Sequence, residues 1–441
     1  MNPIIQPPRL VWPTFAFAAA LMLAATVSWQ LPMMLWDQLD FVLIYQRWQS
    51  GELDAATLLA PYNGAHVLTI PYLSMLATVS LGNGSTWPDG VASWLAMVAT
   101  AVIVIRVALR EMPIHGARSP WLVLVLLALY PGHLSNLQWG WQVQIFSCLL
   151  GAVAAIALLS AASTSTTRMI GALTAAVIAG LSFGASIVLL PIALFLIALR
   201  TDMRWPRKAA WSLPWLILGL LATLPYLQGI GSTADPHSIT LFEICHYTLN
   251  FIGSGIARFA TDLAPWLALV AIVSALDAWL KLARNQRGSA WLGFLLFGIG
   301  TALITAVVRV GPFGADQAFA QRYISFSALF WLGWYGLLLK ALPHVTPFRR
   351  RIYSGLMGIC AVLLVANALH LIRKAAITHE RGVATVNTIA NTWPNVDEKV
   401  LRAIYFDQPE AARERLELLH RFGFAPFNRA RNPPENVPPK R

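Results

Sequence analysis

Two carboxylates three residues apart, Asp37 and Asp40, stand in the stretch Trp36-Asp37-Gln38-Leu39-Asp40-Phe41, just after the first apolar run of the chain. On a helix that spacing puts both on one side. Acidic side chains are costly to hold at a membrane boundary, so a pair of them there raises a question of chemistry. One suits a general base that takes the proton of an acceptor hydroxyl, a poor nucleophile without such help. The other suits holding the acceptor or a divalent cation, Mg or Mn. The plainer alternative is a solvated or capping pair on an interfacial helix.

Three further stretches carry polar groups suited to the same task. The segment Pro61-Tyr62-Asn63-Gly64-Ala65-His66 adds Asn63 and His66, whose interest comes from sharing a loop with the two aspartates. Arg309-Val310-Gly311-Pro312-Phe313-Gly314-Ala315-Asp316, followed by Gln321-Arg322-Tyr323, places an arginine near each end of a glycine-containing loop. Arginine forks match phosphate oxygens and would stabilise a phosphate leaving group; snorkelling to lipid headgroups is the competing account. Gln138-Trp139-Gly140-Trp141-Gln142-Val143-Gln144 alternates amides with indoles at a span edge. Amides hydrogen-bond sugar hydroxyls and indoles stack on pyranose faces, although Trp139 and Trp141 are equally at home in an interfacial aromatic belt. Gln138 and Gln142 are the substrate-binding candidates of this stretch.

The elements that must position these residues are membrane helices. Of 441 residues, 57% are hydrophobic and 12% charged, against roughly 25% charged in a soluble domain. Clear apolar spans are Val11–Leu31, Gln144–Ala162, Trp211–Gly229, Leu263–Leu280, Trp291–Val308, Tyr323–Leu339 and Ile352–Leu371. Less sharply defined are Val67–Gly82, Ala92–Leu109 and Trp121–Tyr130. Met169–Arg200 reads as one broken helix or two short ones meeting near Ser182-Phe183-Gly184, and Leu241–Phe259 as an amphipathic interfacial or re-entrant segment. The expectation is an all-α polytopic membrane protein with about ten to twelve spans. The first span has only Arg9 before it and no clear small-residue cleavage site, so it reads as retained rather than as a signal peptide.

The net charge of +12 is distributed as in a membrane protein, with no zinc-finger or basic-helix pattern, so nucleic acid is not an expected partner. Basic clusters follow apolar runs at Arg200, Arg204, Arg207 and Lys208, at Lys281, Arg284 and Arg287, and at Arg349, Arg350 and Arg351. By the positive-inside rule these are cytoplasmic. Gly231–His237, Arg309–Tyr323 and the C-terminal region then fall on the extracytoplasmic side, and so does the loop of Asp37 and Asp40 if the N-terminus is inside. One conflict stands: counting Val67–Gly82 as a full crossing puts Arg106, Arg110 and Arg118 outside. Either that segment does not cross or the rule fails there. Cys148, Cys245 and Cys360 are far apart in apolar surroundings and form no disulfide or zinc pattern. The domain reading is a membrane domain over 1–372 with a first loop over 32–66, a small helical unit over 373–430, and a disordered Pro-rich tail over 431–441. Within the unit, Ala412, Leu416 and Leu419 repeat at helical spacing over Glu410–Phe422.

Together these stretches resemble the GT-C class of membrane glycosyltransferases, in particular bacterial members with a D-x-x-D-F-type first loop. The matching residues are Trp36 to Phe41, Gln138 to Gln142 and Gln321-Arg322-Tyr323-Ile324-Ser325-Phe326-Ser327. In the tail they are Leu401-Arg402-Ala403-Ile404-Tyr405 and Phe422-Gly423-Phe424-Ala425-Pro426-Phe427. Where related sequences often carry His-Asn-Glu-His-Arg, this chain has Tyr62-Asn63-Gly64-Ala65-His66-Val67, keeping the asparagine and second histidine. The resemblance implies a bacterial inner-membrane enzyme with an extracytoplasmic active site. It would transfer a sugar from a polyprenyl-phosphate donor to an envelope glycan or lipid acceptor, with inversion. By the same resemblance Asp37 is the base with Asp40 as alternate, and Arg322 faces the donor phosphate; Arg309 and Tyr323 of the same loop are further donor-binding candidates. The rival expectations are a transporter or flippase of a lipid-linked or small polar solute, and a non-catalytic envelope scaffold.

Overall fold

The computed structural model describes residues 10–64, 66–82, 84–112, 118–161, 163, 165–227, 239–283 and 287–428. The loop Gly231–His237, Arg9, Arg284 and the Pro-rich tail over 431–441 lie outside the described residues. The protein is all-α: among the described residues the one sheet joins two strands of two residues each.

The chain opens with α1 (Val11–Ser28), a 3₁₀ turn over Trp36–Asp40, and short helices α2 (Phe41–Gln49) and α3 (Ala55–Leu59). A hairpin of β1 (Pro61–Tyr62) and β2 (His66–Val67) follows, with Tyr62 opposite His66. Then come α4 (Thr69–Leu81), α5 (Trp87–Glu111), α6 (Arg118–Ala128), α7 (Leu134–Leu137), α8 (Val143–Leu159), α9 (Thr166–Gly180) and α10 (Leu189–Leu199). The second half holds α11 (Trp205–Leu227), α12 (Leu241–Ala257), α13 (Ala264–Lys281), α14 (Ala290–Phe313), α15 (Ile324–Ala341) and α16 (Pro347–Thr392), with α17 (Glu398–Ile404) and α18 (Pro409–Phe422) at the end.

Eight described stretches are long and apolar enough to cross a bilayer: Val11–Ser28, Trp87–Glu111, Pro120–Leu137, Gly140–Leu159, Thr261–Lys281, Ala290–Phe313, Gln321–His344 and Pro347–Thr392. Three further apolar helices are shorter, Thr69–Leu81, Thr166–Gly180 and Gly184–Leu199, and the expected span Trp211–Gly229 begins within α11 and runs on into residues outside the described ones. Thr166–Gly180 and Gly184–Leu199 are the halves of the broken segment, separated at Leu181–Phe183. At 13 residues, α4 extends only about 20 Å, short of a hydrocarbon core of about 30 Å. The earlier conflict is thereby removed. The chain enters α5 from the side of the first loop, and α5 carries Arg106 and Arg110 to the opposite end of the bundle.

Charges sort along the bundle in the same way. At the end away from the first loop, Arg110 and Lys340 pair with Glu111 at 2.8 and 3.3 Å, and Arg349 pairs with Asp277 at 3.4 Å. Arg200 at the same end donates to the carbonyls of Leu159 and Ala161. The aspartates of the first loop lie at the other end.

Two cores divide the protein. The larger fills the bundle, and α15 is its axis, buried on all sides with Phe326, Phe330 and Trp334 almost fully enclosed. The smaller gathers Leu35, Leu39 and Phe41 of the first loop, Leu68 and Tyr72 around α4, Ile389 of α16, and Leu401, Leu416 and Leu419 of the C-terminal helices. Helix α16 links them. Its 46 residues make a rod of about 70 Å that runs unbroken past residue 372 and delivers α17 and α18 onto the first loop. Helix α18 buries Ala412, Leu416 and Leu419 as their spacing predicts, and stops at Gly423, whose φ of +66° is the left-handed cap glycine accepts readily.

Because Leu416 is fully enclosed in the smaller core, Leu416→Ala is expected to destabilise it by about 2–4 kcal/mol. Hydrogen exchange should rise over residues 393–428 and leave α14 and α15 protected. Uniform loss of protection across both cores would show that the C-terminal unit has no separate stability.

Candidate functional site

The first loop is fixed before its aspartates are. Trp36 adopts a φ of +55°, costly for a bulky residue. It is held there by its indole, which donates to the Ala403 carbonyl at 3.3 Å and meets Trp139 edge-on. Trp139 in turn donates to the Leu35 carbonyl at 3.2 Å. From Trp36 the chain makes the 3₁₀ turn through Asp40. With three residues per turn, the side chains of Asp37 and Asp40 eclipse. The hydroxyl of Tyr62 sits between them, 3.1 Å from Asp37 Oδ1 and 2.8 Å from Asp40 Oδ2.

Beyond that shared phenol the two carboxylates differ. Asp40 accepts from the Tyr405 hydroxyl at 2.7 Å and from Arg415 Nε at 3.2 Å, both on Oδ1. Both of its oxygens are engaged, and the ion pair with Arg415 is only about 15% exposed on either side. Asp40 therefore ties the first loop to the C-terminal unit. Asp37 keeps Oδ2 without a partner among the described residues. Burial pushes its carboxyl above the usual carboxylate range, against the Tyr62 hydrogen bond and the Arg322 field; Asp40 adds to the rise and Arg309 opposes it. Burial, with the two aspartate charges, also raises the Tyr62 phenol far above its ordinary value, so it stays a donor.

Arg309, near the end of α14, and Arg322, just before α15, both act on Asp37, yet neither makes an ion pair among the described residues. Arg309 lies over the Phe313 ring and Arg322 over the Tyr323 ring, at 5.4 and 5.3 Å. Tyr323 stacks on Phe251, and its hydroxyl is within 3.3 Å of Gln317, which also bonds Tyr247. A partly shielded carboxylate with one open oxygen thus faces two arginines that have no carboxylate of their own.

The remaining predicted residues lie around this centre. Asn63 is exposed at the hairpin tip with a φ of +49°, next to Gly64 at +67°, a left-handed turn that suits this residue pair. His66 stacks on Phe183 at 4.1 Å and accepts from the Gly184 N–H through Nδ1 at 3.3 Å. Beside it, past Val67 and Gly184, lies an apolar cavity of about 380 Å³ lined also by Leu59, Leu181, Trp215 and Gly219 among others. Gln138 and Gln142 are enclosed in the protein, each with its Oε1 unpartnered among the described residues. Trp141 between them packs under Tyr62 at 5.2 Å.

Several residues escaped sequence reasoning. Tyr405 and Arg415 reach Asp40 across 365 and 375 residues of chain, and no local pattern marks such a contact. Tyr62 stands in the Pro61–His66 stretch that the sequence singles out, but nothing local marks it as the group shared by the two aspartates. Asp89, in the first turn of α5, accepts from Gln38 Nε2 at 3.1 Å and from the Thr78 hydroxyl. Gly140 permits that approach, since a Cβ there would collide with both Gln38 and Asp89. The donor set does not fit a divalent cation: Asp40 has both oxygens taken, one by a cation already, and no group of three His, Cys, Asp or Glu that could hold a metal occurs among the described residues.

The asymmetry of the pair is open to measurement. Asp40→Asn should lower the stability of the C-terminal unit by about 1–3 kcal/mol, by leaving Arg415 and Tyr405 with a weaker acceptor. Asp37→Asn should leave it unchanged or raise it, because a partly buried charge is removed. Thermal melts read beside limited proteolysis of residues 393–428 test this, and equal losses in the two variants would refute the division. No protein-family profile matches this chain, and no curated protein matches it either.

Proposed function

We propose that the protein is a membrane glycosyltransferase that moves a sugar from a polyprenyl-phosphate donor to a hydroxyl of an envelope glycan or lipid, on the extracytoplasmic side of a bacterial inner membrane. The observation that carries the reading is Asp37, a carboxylate with an open oxygen and raised proton affinity, set in the field of Arg309 and Arg322 at one end of a membrane bundle. Asp37 accepts the proton of the acceptor hydroxyl as that oxygen attacks the anomeric carbon. The bond from that carbon to the phosphate oxygen breaks, and the electron pair leaves with the phosphate. Arg322 and Arg309 receive the growing negative charge. The apolar cavity beside His66 offers a path for the first isoprene units of the carrier.

The placement of charge supports the sidedness. The end holding Arg110, Arg200, Lys340 and Arg349 carries the loops that the positive-inside rule assigns to the cytoplasm, and the aspartate end is opposite. A transporter would instead require polar groups along a path through the spans.

Native mass spectrometry of protein extracted from its own membrane should find a polyprenyl-phosphate sugar on the wild type and none on Arg322→Ala. Its absence from well-folded wild type would overturn the donor assignment. The rate should fall on the acid side as Asp37 is protonated, at a pH above the ordinary carboxylate value of 3.8. The Arg322 field holds the Asp37 pKa down, so Arg322→Gln should move that limb to higher pH. A limb that moves the other way or stays put would exclude Asp37 as the titrating base.

A further inference from the structure

Away from the aspartates, a second group of cations gathers where the end of α12 meets α16. Asn367 of α16 is fully buried there and stitches the two helices together. Its amide donates to the Gly255 carbonyl at 2.9 Å and to the Tyr130 hydroxyl at 2.8 Å, while its oxygen accepts the Arg258 N–H at 2.9 Å. His370 and Lys374 follow Asn367 by three and seven residues, so they share its face of the helix. The charges of Arg258, Lys374 and Arg373 act on His370, and that of Arg258 acts on Lys374. No carboxylate is among the groups acting on Arg258, His370 or Lys374.

Mutual repulsion without a counter-charge is an unfavourable arrangement, and one detail sharpens it. Arg258 Nη1 is buried and has no hydrogen-bond partner among the described residues. A buried charged donor left unmade is expensive. Burial pushes the guanidinium pKa down to about 10, which still leaves it charged at neutral pH. The side chains of His370 and Lys374 are exposed and likewise make no hydrogen bond or ion pair among the described residues, so the cluster opens outward.

We propose that Arg258, His370 and Lys374 form a binding site for the phosphate headgroup of an anionic membrane lipid, separate from the Asp37 centre. A phosphate supplies the acceptors that Arg258 Nη1 lacks and the charge that the cluster lacks. The surroundings select a lipid over a soluble anion. Ile359, three turns before His370 on the same flank of α16, is 56% exposed, and Phe259, next to Arg258, is 42%, an apolar surface on which acyl chains can lie beneath the headgroup. The level along α16 agrees. His370 and Lys374 precede His379, whose Nδ1 is 3.1 Å from the Gln30 carbonyl at the root of the first loop. The cluster is thus near the aspartate end, remote from the basic loops of the other end. Lipid binding at this cluster does not depend on sugar transfer at Asp37.

The test is native mass spectrometry of the delipidated full chain titrated with phosphatidylglycerol or phosphatidylcholine. Wild type should retain one phosphatidylglycerol in preference to phosphatidylcholine. His370→Gln with Lys374→Gln changes only exposed side chains and should weaken that retention by about tenfold. Arg258→Gln should do the same, and if it fails to fold the exposed pair still decides the matter. Arg207→Gln with Lys208→Gln, at the opposite end, should leave retention unchanged. Equal retention in wild type and the exposed double variant would overturn the proposal, as would an equal loss in the opposite-end control. Displacement of the lipid by equimolar inorganic phosphate would also overturn it, reassigning the cluster to a soluble anion.

Discussion

One carboxylate, Asp40, accepts from two tyrosines and an arginine drawn from two distant parts of the chain, and the geometry of the site depends on it. Tyr62 comes from the hairpin, and Tyr405 and Arg415 from the C-terminal unit. A first loop anchored only by apolar contacts could slide along its neighbours, because such contacts have little directionality. Three charge-assisted bonds to a single group define position and angle together. The 3₁₀ turn between Trp36 and Asp40 then carries that definition to Asp37. The smaller core supplies burial around the turn, and the Asp40 linkage supplies its register.

From this follows the difference between two residues of the same type. Asp37 and Asp40 are three positions apart and share a phenol, yet one has its acceptor capacity filled and the other does not. The contrast is produced by what approaches from outside the loop: Tyr405 and Arg415 on one side, and the fields of Arg309 and Arg322 on the other. The arginines act on Asp37 without pairing to it, which leaves the region between them free for an anion. A direct salt bridge there would have neutralised both partners and closed it.

Much of the architecture was legible because membrane helices announce themselves by length and apolarity. The amphipathic repeat of Ala412, Leu416 and Leu419 was equally plain, and all three are buried. Chemistry-bearing types at a span edge pointed to Asp37 and Arg322, which the fold brings into one field across almost 300 residues. What the sequence withheld was of two kinds. Segment length near the threshold could not tell a crossing helix from the 13-residue α4, since burial against other helices makes both apolar. Partners remote in sequence, Arg415 above all, sit on a helix whose exposed face is charged throughout, where nothing local distinguishes a tether from a solvated arginine. Asn63 illustrates the reverse: its type suggested binding, and the backbone uses it for a left-handed turn.

Helix α16 has a mechanical consequence. A single rod of 46 residues crosses the bilayer and continues as the mast on which the C-terminal unit is mounted, with no hinge glycine-proline pair between the two parts. The part over 372–392, about 30 Å long, projects past a hydrocarbon core of about 30 Å. Tilting the buried part by about 5° swings the far end by about 3 Å, comparable to the length of a hydrogen bond. Membrane thickness sets helix tilt, so the bilayer is in effect part of the scaffold that aims Tyr405 and Arg415. The protein is a lever with one arm resting in lipid and the other holding the aspartate loop.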